Sequence, residues 1–368
     1  MRYIEEFRNK DILKKLASEI ARVSDKSKTY NFMEVCGTHT MSIFKFGLKE
    51  LLPPNIRLIS GPGCPVCVTP VESIDKVLSY SQLKDSIIAT FGDMIRVPGS
   101  KESLDDLSAK GANVKIIYSP EEALGIAESN PEKKVILIGI GFETTAPLFA
   151  SAILKAKKKK IDNFSVLSLH KTLPEALQAL LIDEEIKVDG FMLPGHVSAI
   201  IGSKPYKFIP KIFGVRCVIC GFEPLDIIEG VLNLIEQKAP RVEIQYKRVV
   251  REEGNRFARD IMYKVFEKCD SNWRGLGTIK NSGLRIRKEF KQFDAERNFK
   301  PRTENLEPIT ESSKLPGKCL CGDVLKGKKE PTDCVLFGKA CTPVKPIGAC
   351  MVSSEGTCAA WYKYIRTM

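Results

Sequence analysis

From about residue 30 to residue 230, short runs of β-branched and other apolar residues alternate with longer stretches whose apolar positions fall at helical spacing. The clearest runs are 56–60, 86–90, 114–118, 134–138, 165–169, 190–193 and 215–219. Most are followed by Gly, Pro, Ser or Thr and then by a helical pattern. Apolar strands separated by helices predict parallel sheets covered by helices on both faces, so the chain is expected to be an α/β protein.

Seven strands suffice for one sheet or two, and the loops favour two. The run at 56–60 leads into ISGPGCPVCVTPVESI, and the run at 190–193 into MLPGHVSAIIG. Both place a Pro-Gly turn between strand and helix, with a potential ligand just beyond it. A third strand–Gly–helix junction, IGFETTAP, follows Ile138. The expectation is two similar parallel-sheet α/β domains around a cleft, at 30–118 and 131–223, joined by the segment 119–131. Ligands of open α/β sheets gather at the carboxyl ends of the strands, where all these loops fall.

From Arg241 the pattern changes to charged stretches that read as helical to about Phe299, followed by a polar connector and a Gly- and Pro-rich tail. The tail has little periodicity and little apolar material for a core of its own. Residues 1–29 and 232–368 are therefore expected to form a third, cysteine-rich, α-helical and irregular domain, held by metal or by packing on the other two.

Composition narrows the function. Hydrophobic residues are 43% and charged residues 28% of the 368, a globular balance with no uninterrupted apolar stretch of membrane-spanning length. The start of the chain is a charged amphipathic helix with no apolar signal region, so a cytoplasmic location is expected. The net charge of +12 does not argue for nucleic acid. The lysines come in solvated runs such as Lys157 to Lys160, with no interleaved aromatics to stack on bases. Such a face suits an acidic partner protein better.

Twelve cysteines in a reducing compartment favour metal binding or redox work over a disulfide framework. Cys319, Cys321, Cys334, Cys341, Cys350 and Cys358 crowd into the last 50 residues, with 1, 12, 6, 8 and 7 residues between them. Six thiols exceed the four that a [4Fe–4S] cluster or a structural zinc needs. Paired CxxC knuckles are absent there, and irregular thiolate loops near Gly and Pro suit an iron–sulfur cluster better than a zinc ribbon. The absence of CxxxCxxC argues against radical SAM chemistry.

A second group is MEVCGTHTM with GPGCPVCVTP. Cys36 stands at a strand end before a helix N-terminus, a place that lowers a thiol pKa, and His39 follows. Cys64 and Cys67 form a CxxC, which serves either as a redox dithiol or as half of a metal site. Glu143 and His196 are further cleft candidates: Glu143 as helix cap or as proton donor, His196 as a structural or a site residue. Cys217 and Cys220 form another CxxC, but its first member lies inside an apolar run and reads as core. Cys269 carries no signal.

The segments MEVCGTHTMSIFKFGLKELLP, ISGPGCPVCVTP, GFETTAP, LPGHVSAIIG and GKACTPVKPIGACMVSSEGTCAAWY together resemble the HypD family of hydrogenase maturation factors, in order and along essentially the whole chain. The resemblance implies a scaffold that works with the small chaperone HypC and the cyanide donor HypE to build the Fe(CN)2CO unit of [NiFe]-hydrogenases. It also implies two α/β domains and a third bearing a [4Fe–4S] cluster. Carried over by position, Cys36, Cys64 and Cys67 would handle the Fe(II) in transit, with His39 nearby. Cys319, Cys334, Cys341 and Cys358 would hold the cluster, and Cys321 and Cys350 would be a thiol/disulfide pair beside it. A stand-alone iron–sulfur thiol–disulfide oxidoreductase is the alternative, and a nucleic-acid or structural zinc protein the third.

Overall fold

The structure is a computed structural model, and it describes residues 5–300 and 319–365. The polar connector expected at 301–318 lies outside the described residues. Nine parallel strands form two sheets. β1 (Tyr30–Glu34), β2 (Ile56–Ser60), β7 (Gly190–Pro194), β8 (Arg216–Cys220) and β9 (Val242–Ile244) make one, in the order β2-β1-β7-β8-β9. β3 (Ser86–Thr90), β4 (Val114–Ile116), β5 (Lys134–Gly139) and β6 (Phe164–Ser168) make the other, in the order β4-β3-β5-β6. All seven apolar runs are strands, and both sheets are parallel as their apolar character required.

The strands do not group by halves of the chain, as the ranges 30–118 and 131–223 anticipated. The four-stranded sheet is inserted whole between β2 and β7, and the five-stranded sheet closes around the insertion by pairing β1 with β7, Phe32 opposite Gly190. An apolar pattern specifies which faces are buried, not which strand lies beside which. The segment 119–131 is no linker. It is largely the helix Pro120–Ser129, the crossover from β4 to β5, packed on β5 and on the helix Ala146–Lys159.

The two sheets share a core. Met33, Phe191, Leu193, Cys217 and Ile219 of the first sheet meet Ile88, Ile136, Ile138 and Leu167 of the second in one buried cluster. Alternate residues point away from it, Phe32, Met192 and Val218 toward one outer helical layer and Val135, Leu137 and Val166 toward the other, as the two-residue repeat of a strand dictates. Each such side chain contributes about 1.5–3 kcal/mol on burial.

The third body also differs from its expectation. The helix Lys10–Val23, N-capped by Asn9, packs on the helix Pro224–Glu236 of the five-stranded sheet rather than with the tail. Residues 266–286 form an antiparallel hairpin, β10 (Phe266–Trp273) and β11 (Gly277–Ile286). Its polar outer residues imitate a charged helix, but the two segments pair antiparallel, Phe266 opposite Ile286. The tail is made of short helices, including Cys321–Leu325, Ala349–Val352 and Thr357–Ile365. No helix of the described residues is long and apolar enough to cross a membrane.

Candidate thiol and metal-handling site

The loops after β1, β2, β7 and β8 converge at the carboxyl edge of the five-stranded sheet. Cys36 is the N-cap of the helix Gly37–Lys45. The loop after β2 lies directly on it: Gly37 N donates to Gly63 O (3.3 Å). A Cβ on Gly63 would stand 2.1 Å from Cys36 N, so only glycine permits this approach. Cys36 is buried. Amides of Thr38 and His39 act to lower its pKa, as a helix start should, but loss of water wins and pushes the thiol up to about 12, with Glu355 adding to the rise. The lowered pKa expected from the helix terminus is therefore overturned by burial.

His39 is buried too. Its Nε2 lies 2.9 Å from Gly221 O, so Nε2–H donates there, while Nδ1 is buried without a partner. Desolvation lowers its pKa to about 4, and it is a neutral imidazole with a free lone pair. Phe222 connects it to His196, which stacks on the same ring at 3.9 Å. His196 itself is exposed at the start of the helix Gly195–Ile201.

Two acids that sequence reasoning did not single out complete this edge. Glu34, two residues before Cys36, is buried; it accepts from Thr40 Oγ1 (2.5 Å) and Cys36 N (3.2 Å). Burial raises its pKa to about 8. Glu355 comes from the tail, accepting from Thr38 Oγ1 at 2.7 Å. Both lie inside the motifs MEVCGTHTM and MVSSEGTC, which was the available signal.

Cys64 caps the one-turn helix Pro65–Val68, its Sγ accepting from Cys67 N at 3.3 Å. Cys67 is fully buried. Desolvation raises its pKa, and its Sγ lies 4.0 Å from Ala349 O, the residue before Cys350. Cys350 in turn sits 2.9 Å from Cys321, sulfur to sulfur, and also meets Cys358. The CxxC and the tail are thus in contact where Cys67 packs on the helix Ala349–Val352, which carries Cys350. The two sulfur groups were expected as separate centres, and the chain joins them.

All six tail cysteines line a single, largely apolar cavity, with Leu320, Val324, Phe337, Gly348 and Met351. The donor set is thiol only, the chemistry an iron–sulfur cluster takes. Cys341 Sγ accepts from Ile347 N (3.3 Å), and Gly348 leaves room for Cys319 Sγ, 3.1 Å from where a Cβ would stand. Among the described residues no three Cys, His, Asp or Glu side chains already converge as around a single ion. A cubane spreads its ligand sulfurs over a larger tetrahedron than one ion does, so the six cysteines of this cavity, Cys319, Cys334, Cys341 and Cys358 among them, fit such a group by residue type.

Other candidates fall elsewhere. Cys217 and Cys220 belong to opposite faces of β8, in two different core clusters, because residues three apart on a strand diverge; they do not form a working CxxC. Cys269 is half-buried on β10. Glu143 is buried, with its pKa raised to about 8 by desolvation. Its Oε1 accepts from Leu173 N (3.1 Å), so it caps the helix Leu173–Ile182 rather than its own, and Oε2 is unpartnered. No described hydrogen bond links it to Cys36, Cys64 or Cys67.

Fold and site together define a two-sheet α/β protein with a buried CxxC pressed against a thiol-lined cavity in its tail. The profile described as "Hydrogenase formation hypA family", HypD, matches residues 11–365, and the chain belongs to the HypD family. It is 44% identical over 377 residues to the hydrogenase maturation factor HypD of Cupriavidus necator, covering all of this chain and 98% of that one. It is 44% identical over 375 residues to the HypD of Escherichia coli, at 99% and 98% coverage. It is 40% identical over 358 residues to a putative hydrogenase expression/formation protein of Methanocaldococcus jannaschii, at 96% and 98%. A role in hydrogenase maturation follows from this membership.

Proposed function

We propose that this chain is the scaffold on which an iron ion, carried as cargo, receives the cyanide and carbon monoxide ligands of a [NiFe]-hydrogenase, working in the cytoplasm with HypC and HypE. Cys36, Cys64 and Cys67 hold the iron as thiolates, beside the free Nδ1 of His39. Each buried thiol must release a proton to do so.

Cys319, Cys334, Cys341 and Cys358 would hold a [4Fe–4S] cluster, which supplies single electrons when bound. The packing of Cys67 on the turn that carries Cys350, its Sγ 4.0 Å from Ala349 O, carries the proposal. It allows the Cys321/Cys350 dithiol to reduce a Cys64–Cys67 disulfide by exchange. Cys350 attacks Cys67, the mixed disulfide is resolved by Cys321, and two thiols are restored in the CxxC while one disulfide forms in the tail. Reduced, the CxxC holds iron; oxidised, it lets iron go.

The test is anaerobic co-purification with the small partner, followed by infrared spectroscopy. Replacing Cys36, Cys64 or Cys67 with Ala is expected to abolish the cyanide and carbon monoxide bands; intact bands in all three variants refute the proposal. The close Cys321–Cys350 pair also suits a stand-alone iron–sulfur thiol–disulfide oxidoreductase, which would turn over a dithiol substrate with no partner present.

A further inference from the structure

The helix Pro65–Val68 is a single turn, too short to hold itself in place, and its terminal carbonyls need donors. One residue supplies three. Arg274, at the tip of the β10–β11 hairpin, donates its backbone N–H to Val68 O (2.8 Å), Nε to Cys67 O (3.0 Å) and Nη2 to Thr69 O (2.6 Å). It is 5% exposed. A buried guanidinium whose donors go to carbonyls is costly to keep, although a cation at a helix C-terminus recovers part of that cost.

The hairpin tip is itself fixed on both sides. Trp273 donates Nε1–H to Ser282 Oγ (2.8 Å) and stacks on Phe142, of the loop after β5, at 5.9 Å. Gly275, at φ +79°, lies so close to the tail that a Cβ there would be 2.6 Å from Gly322 Cα, next to Cys321. One tip therefore grips the CxxC helix and abuts the segment carrying Cys321, whose sulfur lies against Cys350.

We propose that Arg274 is the positioning residue for the meeting of Cys67 with Cys350, setting how readily the two sulfurs can exchange. This deepens the exchange proposed above and rests on it. Lysine would keep the charge but offer a point donor in place of a fork that reaches two carbonyls.

The test uses the full-length protein in a Cys64→Ser background, which removes the competing CxxC disulfide. The reduced protein is treated with limiting diamide, a diazene that takes two electrons and two protons from a pair of thiols. Alkylation and mass spectrometry of non-reduced peptides then compare the Cys67–Cys350 link with the Cys321–Cys350 link. Arg274→Gln is expected to lower the ratio of the first to the second about tenfold, the scale of a lost hydrogen bond from a charged donor. Arg274→Lys is expected to recover part of the loss. If Arg274→Gln does not accumulate, Arg274→Lys alone decides: a ratio equal to wild type overturns the proposal. A parallel fall of both links also overturns it, as general loosening. Absence of the Cys67–Cys350 link when Arg274 is intact overturns the exchange itself, while its presence at equal ratio in every Arg274 variant overturns only the positioning role.

Discussion

The approach of the GPGC loop to Cys36 is the contact on which the front of the site depends, and Gly63→Ala perturbs it alone. The new Cβ would meet Cys36 N at 2.1 Å, Cys36 Cα at 2.4 Å and Val35 C at 2.4 Å. All three are backbone atoms at the end of β1, which is pinned between β2 and β7, so the loop must yield. Ordinary carbon contact requires it to move by roughly 1 Å. That strains the Gly37 N–Gly63 O bond, already 3.3 Å. Overpacking and one weakened hydrogen bond together cost about 2–4 kcal/mol. Gly125→Ala is the control. Gly125 lies exposed in the helix Pro120–Ser129 with nothing within 4 Å of its Cβ position, and the change is expected to stabilise by about 0.5–1 kcal/mol. Urea unfolding of both variants, with iron retention after gel filtration, reads the effect. Gly63→Ala should unfold earlier and lose iron. If it is as stable as Gly125→Ala and keeps its iron, the two loops are not packed backbone to backbone.

Further outcomes follow from burial and charge. Glu34 is raised to about 8 in the fold against an ordinary 4.5; its contribution to stability is full below the ordinary value and is lost as pH rises through 8. Glu34→Gln should gain on wild type by up to about 1.4 kcal/mol per pH unit across that window, read from urea midpoints at pH 5 and pH 9; a constant difference contradicts the buried acid. Cys36 is pushed up to about 12, so Fe(II) affinity should climb about tenfold per pH unit for each thiol deprotonated, and a flat anaerobic titration between pH 6.5 and 8.5 contradicts it. Gly348→Ala crowds Cys319 Sγ, 3.1 Å from the new Cβ, and should lower acid-labile sulfide content, whereas Cys217→Ala, in the core of β8, should leave sulfide and iron unchanged.

The strands, the parallel sheets and the site loops were legible because apolar runs and Gly/Pro turns are local signals. The pairing of β1 with β7 was not, because it joins residues 158 apart, Phe32 and Gly190, and nothing in either segment names its neighbour. The hairpin was hidden because its outer face is charged. At the site, the cysteines announced themselves by type. Arg274 did not: an arginine in a turn is ordinarily solvated, and only the packing of the tip on Pro65–Val68 buries it. The thiol pKa of Cys36 was misjudged because sequence displays the helix start but not the loop and tail that exclude water from it.

The central claim is that two sulfur groups with separate tasks meet where Cys67 packs on the turn carrying Cys350. Paired infrared and acid-labile sulfide measurements on anaerobically prepared Cys36→Ala and Cys341→Ser, each co-purified with the small partner, test it most directly. Cys36→Ala should keep its sulfide and lose the cyanide and carbon monoxide bands, and Cys341→Ser should lose sulfide first. Bands that survive in Cys36→Ala, or sulfide that disappears from it, would contradict the division of labour.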